Sequence, residues 1–419
     1  MNILWITNIT FPEALELLHK DGAIKGSGGW MVGAAEALVK QQNIKLAVAS
    51  ISPDVKGLTR LDGKSVTYYL LPYGKGNSHV NHDYEPLWDR VKSDFCPQVV
   101  HIHGTEFSHG LAWIKACGAE HTCVSIQGLR HASYYYYHYG ITKNQIRLSA
   151  TPVSVVFGSL IKMARKYKSC GEYEKEVIRQ VNHIIGRTSW DRARTWVLNP
   201  EANYYHGGET MRSIFYSDNV WSYSSCISHS IFLSQARDPI KGLHQMLRAM
   251  PIILRHYPDT IIKVAGPDIT RGNSWKDLIR LSDYGNIIRK LIKKYNLKNH
   301  ICFTGSLDSE GMLKEYLKCN VFVCPSTVEN SPNSLAEAQL LGVPVVASYV
   351  GGVPDMMKGD EGHLYRFEEV EMLAYKVCEI FDNKENQPQV SHMRQEALHR
   401  HNPQKNALEL MHIYNEVAK

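Results

Sequence analysis

The stretch from residue 324 to 355, CPSTVENSPNSLAEAQLLGVPVVASYVGGVPD, combines two carboxylates with the start of a helix. Ser331 followed by Pro332 predicts an N-cap and a first helical residue. Glu329 then lies in the loop before the helix. Glu337, eight positions further on, lies about one turn inside it. The spacing therefore places one carboxylate on either side of a helix N-terminus.

A helix N-terminus attracts anions because its first amides have no partner within the helix. Here these amides are expected to be those of Asn333, Ser334 and Leu335. A diphosphate could bind them while the two carboxylates accept hydrogen bonds from sugar hydroxyls. Taken singly, Glu329 is better interpreted as a solvated loop residue and Glu337 as a surface helix residue. The arrangement as a whole favours an anion site.

The Glu329–Glu337 spacing, followed by LGVPVVASYVGGVPD, resembles the donor-site signature of the retaining family 4 glycosyltransferases, which have the GT-B fold. HSIFLSQARDPIKGLHQML, residues 229–247, resembles the first strand of that family's donor domain with its phosphate-binding Arg and Lys. KVAGPD, FTGSLDSEGM and CNVFVCPS follow in the family's order. The resemblance is close in the second half of the chain and looser in the first. It implies transfer of a sugar, with retention of configuration, from a nucleotide-diphosphate sugar to a hydroxyl of a glycan or lipid-linked glycan.

The resemblance also implies roles for individual residues. Lys241 would hold the donor diphosphate together with Arg237, although the family usually separates its Arg and Lys slightly more than here. Glu329 would contact the donor sugar, and Glu337 would bind the ribose hydroxyls. Further donor contacts would come from Gly305, Leu307, Asn330, Ser331, Pro332, Asn333, Ser334 and Leu335. Without this pattern, Lys241 and Arg237 are equally well two surface cations in a loop.

The first half offers a glycine cluster and a histidine pair. Gly28 and Gly29 match the family's paired glycine, where a backbone without Cβ approaches a phosphate. His101 and His103 are two apart on a predicted strand and so share one face. They could bind a metal, but no third ligand follows at a sensible spacing. His103 matches the family's cleft histidine, which approaches the transferred sugar; the alternative is a hydrogen-bonded histidine at a strand end.

The acceptor side is predicted from weaker signals. Gln127 stands where the family commonly has a histidine, and glutamine cannot transfer a proton. Arg130 and His131 follow closely and are predicted to line the acceptor side. Arg187 could reach the same region, or it could pair with Asp191 at four-residue spacing.

Short β-rich runs alternate with helical stretches along the whole chain, which is typical of parallel sheets covered by helices. The predicted strands are 3–6, 46–50, 66–71, 99–103, 230–234, 261–265, 301–304, 321–324 and 345–347. The fold class is therefore α/β, with two Rossmann-like doubly wound domains that we expect to face an interdomain cleft. The predicted bounds are 1–222 for an acceptor domain, 223–400 for a donor domain, and 401–419 for a terminal helix packing toward the first domain.

Composition narrows the choice of partners and compartment. The 419 residues include 47 Lys+Arg and 41 Asp+Glu, a mild excess without a continuous basic stripe, which disfavours nucleic acid. The nine cysteines never form C-x-x-C, and the first residues lack a signal-peptide pattern. We therefore expect a cytoplasmic protein. Residues 151–168 either lie in a membrane interface, at its inner face, or form a helix with a basic solvent side.

No metal and no other cofactor is expected. No Asp-x-Asp triplet stands at a strand end, and Lys241 with a helix N-terminus could neutralise a diphosphate without Mg²⁺. Two other functions stay open: a nucleotide-sugar epimerase or hydrolase on the same fold, and a non-catalytic nucleotide-sugar-binding protein. Glu329, Glu337 and Lys241 together argue against the second.

Overall fold

The structure is a computed structural model that describes residues 1–19, 29–73, 84–272, 277, 281–383 and 387–419. The chain divides into two compact units. Unit 1 comprises Met1–Ala132, Tyr167–Arg212 and Arg400–Lys419, and unit 2 comprises Ser133–Lys166 and Ser213–His399. No helix among the described residues is long and apolar enough to span a bilayer.

Unit 1 is built on an eight-stranded sheet with the order β3-β4-β2-β1-β5-β6-β7-β8. All neighbouring strands are parallel except the β3–β4 pair. The strands are β1 Asn2–Thr7, β2 Lys45–Ser52, β3 Thr59–Asp62, β4 Val66–Pro72, β5 Val99–His103, β6 Thr122–Ser125, β7 His183–Gly186 and β8 Asn203–His206. Four of these strands lie outside the predicted set. The edge strands β3 and β8 are half-exposed and form no apolar run, and the central strands β6 and β7 carry only two consecutive apolar residues each.

Helices follow most strands of unit 1. They are α1 Pro12–Leu18, α2 Gly29–Val39, α3 Glu85–Phe95, α4 His109–Cys117 and α5 Arg130–Ser133, then, after the segment that belongs to unit 2, the end of α8 Leu160–Gln180, α9 Ser189–Leu198 and the terminal helix. Leu4 and Ile6 of β1 pack into one core, and Ile3 and Trp5 pack into the other. The sheet is therefore covered on both faces, as its near-continuous apolar strands require.

The terminal helix belongs to unit 1. It covers Pro403–Val417, and its Ile413, Tyr414 and Val417 join the core that contains Trp5. Tyr414 accepts a hydrogen bond from the indole of Trp5 at 2.8 Å. The helix thus completes the covering of the first strand.

Unit 2 is built on a six-stranded parallel sheet with the order β11-β10-β9-β12-β13-β14. The strands are β9 Ser230–Leu233, β10 Ile261–Val264, β11 Ile301–Phe303, β12 Val321–Cys324, β13 Val345–Ser348 and β14 Leu364–Tyr365. The helices are α6 Lys143–Leu148, α7 Pro152–Phe157, the first part of α8, α10 Leu243–His256, α11 Asp283–Lys294, α12 Ser309–Lys318, α13 Asn333–Leu340, α14 Val353–Met356, α15 Val370–Asp382 and α16 Gln387–Arg400; the terminal helix is α17. Two doubly wound sheets are confirmed.

Residues 133–166 pack with unit 2, although the predicted acceptor domain of 1–222 includes them. The reason is a set of polar contacts with α11. The backbone N–H of Leu160 donates to Asp283 at 2.8 Å, and the Asn286 amide donates to the Ser149 carbonyl at 3.1 Å. Sequence patterns in residues 133–166 do not show which sheet they cover.

Candidate functional site

An ion pair lies in unit 2, after the carboxyl ends of β9 and β12. The Lys241 Nζ is 2.7 Å from the Glu329 Oε1, and the Ser326 hydroxyl donates to the same oxygen at 2.7 Å. The two charged side chains are 26% and 12% exposed. Burial opposes the charge of Lys241, but the Glu329 carboxylate more than offsets this, so the pKa of Lys241 lies above its usual value. The pair is an ordered charged site that solvent reaches only in part.

Two glycines fix the backbone around this pair. Gly242 has φ +71°, and a Cβ there would lie 1.7 Å from the carbonyl oxygen of Pro325. Gly351 has φ +53°, and a Cβ there would lie 1.8 Å from the Glu329 carbonyl oxygen. Only glycine permits both the left-handed conformation and such an approach. The loops that carry Lys241 and Glu329 are thus held by backbone contacts.

Helix α13 begins one residue later than predicted. Pro332 has extended φ and ψ of −69° and 119° and is the N-cap, so Ser331 lies outside the helix. The predicted set of three outward amides is also wrong at Leu335, whose N–H donates to the Pro332 carbonyl at 3.0 Å. The first turn of the helix is tight, with a hydrogen bond between residues three apart, so the Leu335 N–H is used within the helix and does not point outward.

Glu337 is buried, at 6% exposure, which excludes the surface-residue alternative. The hydroxyl of Tyr316 lies 3.3 Å from its Oε2 and 3.0 Å from the Ser334 carbonyl oxygen. Tyr316 is itself fully buried and packs edge-on against Phe232 of β9. The second carboxylate of the motif is therefore oriented by the core of unit 2.

The remaining predicted donor residues are distributed around the same sheet. Gly305 has φ +78° and exchanges two backbone hydrogen bonds with Gly266, of 2.8 and 3.1 Å, directly after β11. Leu307 is half-buried and Asn330 is buried. Arg237 is exposed, and its guanidinium has no hydrogen bond or ion pair with any described residue. The structure therefore does not make Arg237 part of the Lys241–Glu329 pair.

In unit 1, His101 and His103 lie on one face of β5, as predicted. Their rings stack with centroids 3.7 Å apart, and both residues are 2% exposed. The His101 Nδ1 is 2.6 Å from the Tyr414 hydroxyl, and the His103 Nδ1 is 3.4 Å from the Ser125 hydroxyl. Burial lowers the pKa of His101 to about 3 and also lowers that of His103. Both imidazoles are therefore neutral at physiological pH.

The two histidines border a small cavity of about 40 Å³ in unit 1. Trp5, Trp30 and Arg187 also line it. A space of this size accommodates water molecules rather than a sugar. No group of three metal-binding side chains occurs in the described part of the chain. A catalytic role for His103 stays a prediction.

Arg187 forms a buried ion pair with Glu209 at 2.8 Å, with side-chain exposures of 9% and 6%. Its Nη1 also donates to the Ile126 carbonyl. Asp191 accepts from the backbone N–H of Arg187 at 2.9 Å, and not from its guanidinium. Of the two alternatives for Arg187, the side-chain pair with Asp191 is therefore not formed, because Arg187 precedes α9 and its guanidinium pairs with Glu209.

Glu174, which sequence reasoning missed, organises the predicted acceptor side. It is fully buried and accepts from the Thr105 hydroxyl at 2.9 Å, the Arg130 backbone at 3.1 Å and the His131 backbone at 2.9 Å. The His131 Nδ1 is 2.5 Å from the same carboxylate. Glu174 lies in the middle of a long helix among other charged residues, so no local pattern distinguished it.

A second carboxylate, Glu106, lies in the loop that Glu174 holds. A Cβ on Gly104 would lie 2.4 Å from the Glu106 Oε2, 2.7 Å from the Asn8 Nδ2 and 3.3 Å from the Gln127 Oε1. These side chains thus converge beyond the carboxyl ends of β1, β5 and β6. The Glu106 Oε2 and the Asn8 Oδ1 are buried without a hydrogen-bond partner among the described residues. In the sequence, Glu106 could have been found from the order HGTEF, residues 103–107, at the end of a predicted strand.

Burial, with a smaller effect of Glu174, raises the pKa of Glu106 from 4.5 to about 7. A carboxyl whose pKa is raised in the folded state stabilises the fold below its unfolded pKa, and this contribution is lost as pH rises toward 7. We therefore expect Glu106→Gln to remove about 1–2 kcal/mol of the pH dependence of unfolding free energy between about pH 4.5 and 7. Urea unfolding of both proteins at several pH values in this range measures the free energy of unfolding and tests the prediction. Glu120→Gln, on the exposed surface, is the control; parallel wild-type and Glu106→Gln profiles would contradict the assignment.

Gly28 lies outside the described residues. Gly29 is the first residue of α2. Their predicted contact with a phosphate stays a prediction.

Comparison with known proteins gives a family match for the part of the chain that carries the unit 2 sheet and its loops. Residues 229–399 match the family model of "Glycosyl transferases group 1". Phosphatidyl-myo-inositol mannosyltransferase of Mycobacterium leprae is 25% identical over 241 residues, which are 56% of this chain and 60% of that protein. Spore coat protein SA of Bacillus subtilis is 24% identical over 181 residues, 42% of this chain and 46% of that protein. The chain thus spans about half the length of these relatives.

Solved structures match along nearly the whole chain. Sucrose-phosphate synthase from Thermosynechococcus elongatus has a TM-score of 0.72 at 16% identity, covering 99% of this chain and 98% of that chain. Anabaena Alr3699/HepE in complex with UDP-glucose has a TM-score of 0.61 at 14% identity, covering 100% and 98%. At these identities the likeness concerns the fold. Residues 229–399 therefore match the group 1 glycosyltransferase family, and the chain as a whole has the GT-B fold as its architecture.

Proposed function

We propose that this protein is a retaining glycosyltransferase that moves a sugar from a nucleotide-diphosphate donor to a hydroxyl of a glycan or lipid-linked glycan. The observation that carries the proposal is the Lys241–Glu329 pair beside a helix whose buried Glu337 follows eight residues later. The family membership of residues 229–399 supports it. So do relatives named as mannosyltransferases and a similar fold solved with UDP-glucose.

Each group has a defined task in this proposal. Lys241 neutralises charge that develops on the leaving diphosphate, since an ammonium in a partly buried site acts strongly on a nearby anion. Glu329 accepts hydrogen bonds from the donor sugar, and its contact with Ser326 fixes its direction. Glu337 binds the ribose diol. The acceptor oxygen attacks from the face of the leaving group, and a donor phosphate oxygen takes its proton, so the protein mainly positions the reactants.

Donor binding and turnover test the function separately. Thermal unfolding is followed with UDP-glucose, GDP-mannose and their free nucleoside diphosphates. Release of nucleoside diphosphate is then measured with and without simple glycoside acceptors, and the anomeric configuration of the product is read by proton NMR. A product of inverted configuration would refute retention. Donor consumption independent of any acceptor would favour the epimerase or hydrolase, and donor binding without any turnover would favour a binding protein.

We also propose that turnover needs no metal. The positive charge at the diphosphate would come from Lys241 and the first amides of α13. Activity is expected to survive EDTA unchanged in the same release assay. Loss of activity on chelation with rescue by Mg²⁺ or Mn²⁺ would refute this part of the proposal and leave the transferase function standing.

Glu337→Gln is expected to weaken binding of the cognate nucleoside diphosphate about tenfold or more, because a charged acceptor for the ribose hydroxyls is replaced by a neutral one. Calorimetric titration measures the affinity. Glu315→Gln in α12 is the control, since Glu315 is also a partly buried carboxylate of unit 2 and pairs with Lys263 at 2.9 Å. Unchanged affinity in Glu337→Gln would reject the ribose assignment.

A further inference from the structure

Residues 133–166 of unit 2 carry an unbalanced positive charge. They include five Lys and Arg and no Asp or Glu, whereas the whole chain has 47 basic and 41 acidic residues. The five are Lys143, Arg147, Lys162, Arg165 and Lys166, and all are exposed. None of them pairs with a carboxylate in the part of the chain that the structure describes. The segment therefore holds nearly all of the protein's excess charge on side chains that are available to a partner.

Large aliphatic side chains are exposed in the same segment. Leu148 is 72% exposed, Val155 is 76% exposed and Val156 is 66% exposed. Val155 and Val156 share one side of α7 with the exposed Pro152, and the buried Ser154 lies on the opposite side. An ordinary solvated face of so short a helix does not place two adjacent valines in water, with an exposed leucine at the end of the preceding helix.

The basic residues adjoin the aliphatic ones. Gly158, the residue after α7, lies against the Lys162 side chain, since a Cβ at Gly158 would be 2.9 Å from the Lys162 Cδ. Lys162, Arg165 and Lys166 occupy one side of the first turns of α8. Arg147 directly precedes Leu148. We call these eight side chains, Lys143, Arg147, Leu148, Val155, Val156, Lys162, Arg165 and Lys166, the basic-aliphatic face.

The backbone that presents this face is firmly held. Thr142 and Thr151 form capping boxes at the starts of α6 and α7. The Lys290 ammonium donates to the Leu148 carbonyl at 2.6 Å, and the Leu160 N–H donates to Asp283 at 2.8 Å. A surface held in this way loses little conformational entropy when it binds.

We propose that the basic-aliphatic face docks onto an anionic phospholipid surface. Leucine and valine side chains gain free energy on entering the interfacial region, while long Lys and Arg side chains reach anionic headgroups around them. A nucleic acid would bind the Lys and Arg side chains but would leave the aliphatic side chains exposed to water. A second copy of the same face would bring five positive charges against five others. An anionic bilayer satisfies both features, and the inference goes beyond the proposed transfer reaction.

Vesicle flotation without nucleotide tests the proposal independently of any enzymatic activity. The full chain is mixed with phosphatidylcholine vesicles that contain either no anionic lipid or about 30 mol% phosphatidylserine. We expect binding to the anionic vesicles only, and weaker binding as salt rises, since screening shortens the reach of the charges. Absence of binding to anionic vesicles, or equal binding to both kinds, would overturn the proposal.

Paired variants assign the binding to this face. Lys162→Glu with Lys166→Glu is expected to weaken vesicle binding about 30-fold or more, at roughly fivefold per lost cation. The control is Lys314→Glu with Lys318→Glu, an exposed pair at the same spacing on α12. Wild-type binding in the first pair, or an equal loss in both, would overturn the assignment.

A third comparison tests the aliphatic part. Val155→Ser with Val156→Ser is expected to weaken binding about tenfold. The control is Leu408→Ser, which removes a 61% exposed leucine on α17 beside the mixed-charge pair Lys405–Glu409. All these positions are exposed, so circular dichroism should show unchanged folding. If the valine variant instead abolishes self-association seen by sedimentation velocity, and vesicle binding is unaffected, the face binds a second copy and the proposal is wrong.

Discussion

Lys241→Ala is expected to lower kcat/KM for the donor about 10² to 10³-fold, mostly through kcat. The Lys241 ammonium lies 2.7 Å from Glu329 in a site that is only partly open to solvent. Negative charge on the leaving diphosphate grows toward the transition state, so the missing cation matters more for turnover than for ground-state binding. Initial rates with the donor found by thermal unfolding, together with calorimetric affinity for its nucleoside diphosphate, separate the two effects.

Lys263→Ala is a closely matched control. Lys263 pairs with Glu315 at 2.9 Å, with exposures of 27% and 19%, against 26% and 12% for Lys241 and Glu329. Both pairs belong to unit 2, and loss of either should disturb stability to a similar extent. Turnover should fall only for Lys241→Ala. A similar fall in both variants, or equal losses of binding and turnover in Lys241→Ala, would contradict the proposed role.

Gly242→Ala is expected to lower kcat/KM about 10²-fold or more and to destabilise the fold by about 3 kcal/mol. Its Cβ would lie 1.7 Å from the Pro325 carbonyl oxygen, and its φ of +71° is unfavourable for alanine. To relieve this clash the backbone must shift next to Lys241, which precedes Gly242, or next to Ser326, which follows Pro325. Urea unfolding gives the stability change, and rates measured where the variant is fully folded give the catalytic effect.

Gly118→Ala is a control that has an unfavourable backbone conformation for alanine but no steric clash at the added Cβ. Gly118 also has a left-handed φ, of +87°, but a Cβ there would meet nothing within 4 Å. Its ψ of 169° lies in a backbone region that is essentially restricted to glycine, so this control should lose about 1–3 kcal/mol of stability but keep its activity. If Gly242→Ala resembles Gly118→Ala in both stability and turnover, the close approach to Pro325 does not organise the site.

Patterns within short stretches were sufficient for much of this molecule. Short apolar runs predicted most of the central strands of both sheets, because a parallel strand buried on both faces needs such a run. The helix after Pro332 was predicted from capping preferences, within one residue at its start. The edge strands β3 and β8 were not predicted because they are only partly buried, and the short central strands β6 and β7 were not predicted because their apolar runs are too brief.

The sequence by itself determined the two α/β sheets, the loop with Glu329 and the helix with Glu337, since each depends on interactions between near neighbours in the chain. Only the tertiary structure decided that Lys241 joins Glu329 across 88 residues and that Tyr414 meets His101 across 313. It also decided that Glu174 holds Thr105 and His131, and that residues 133–166 pack on α11. The physical reason is that such contacts depend on which surfaces the packed sheets bring together, and burial then sets the charge state of each group.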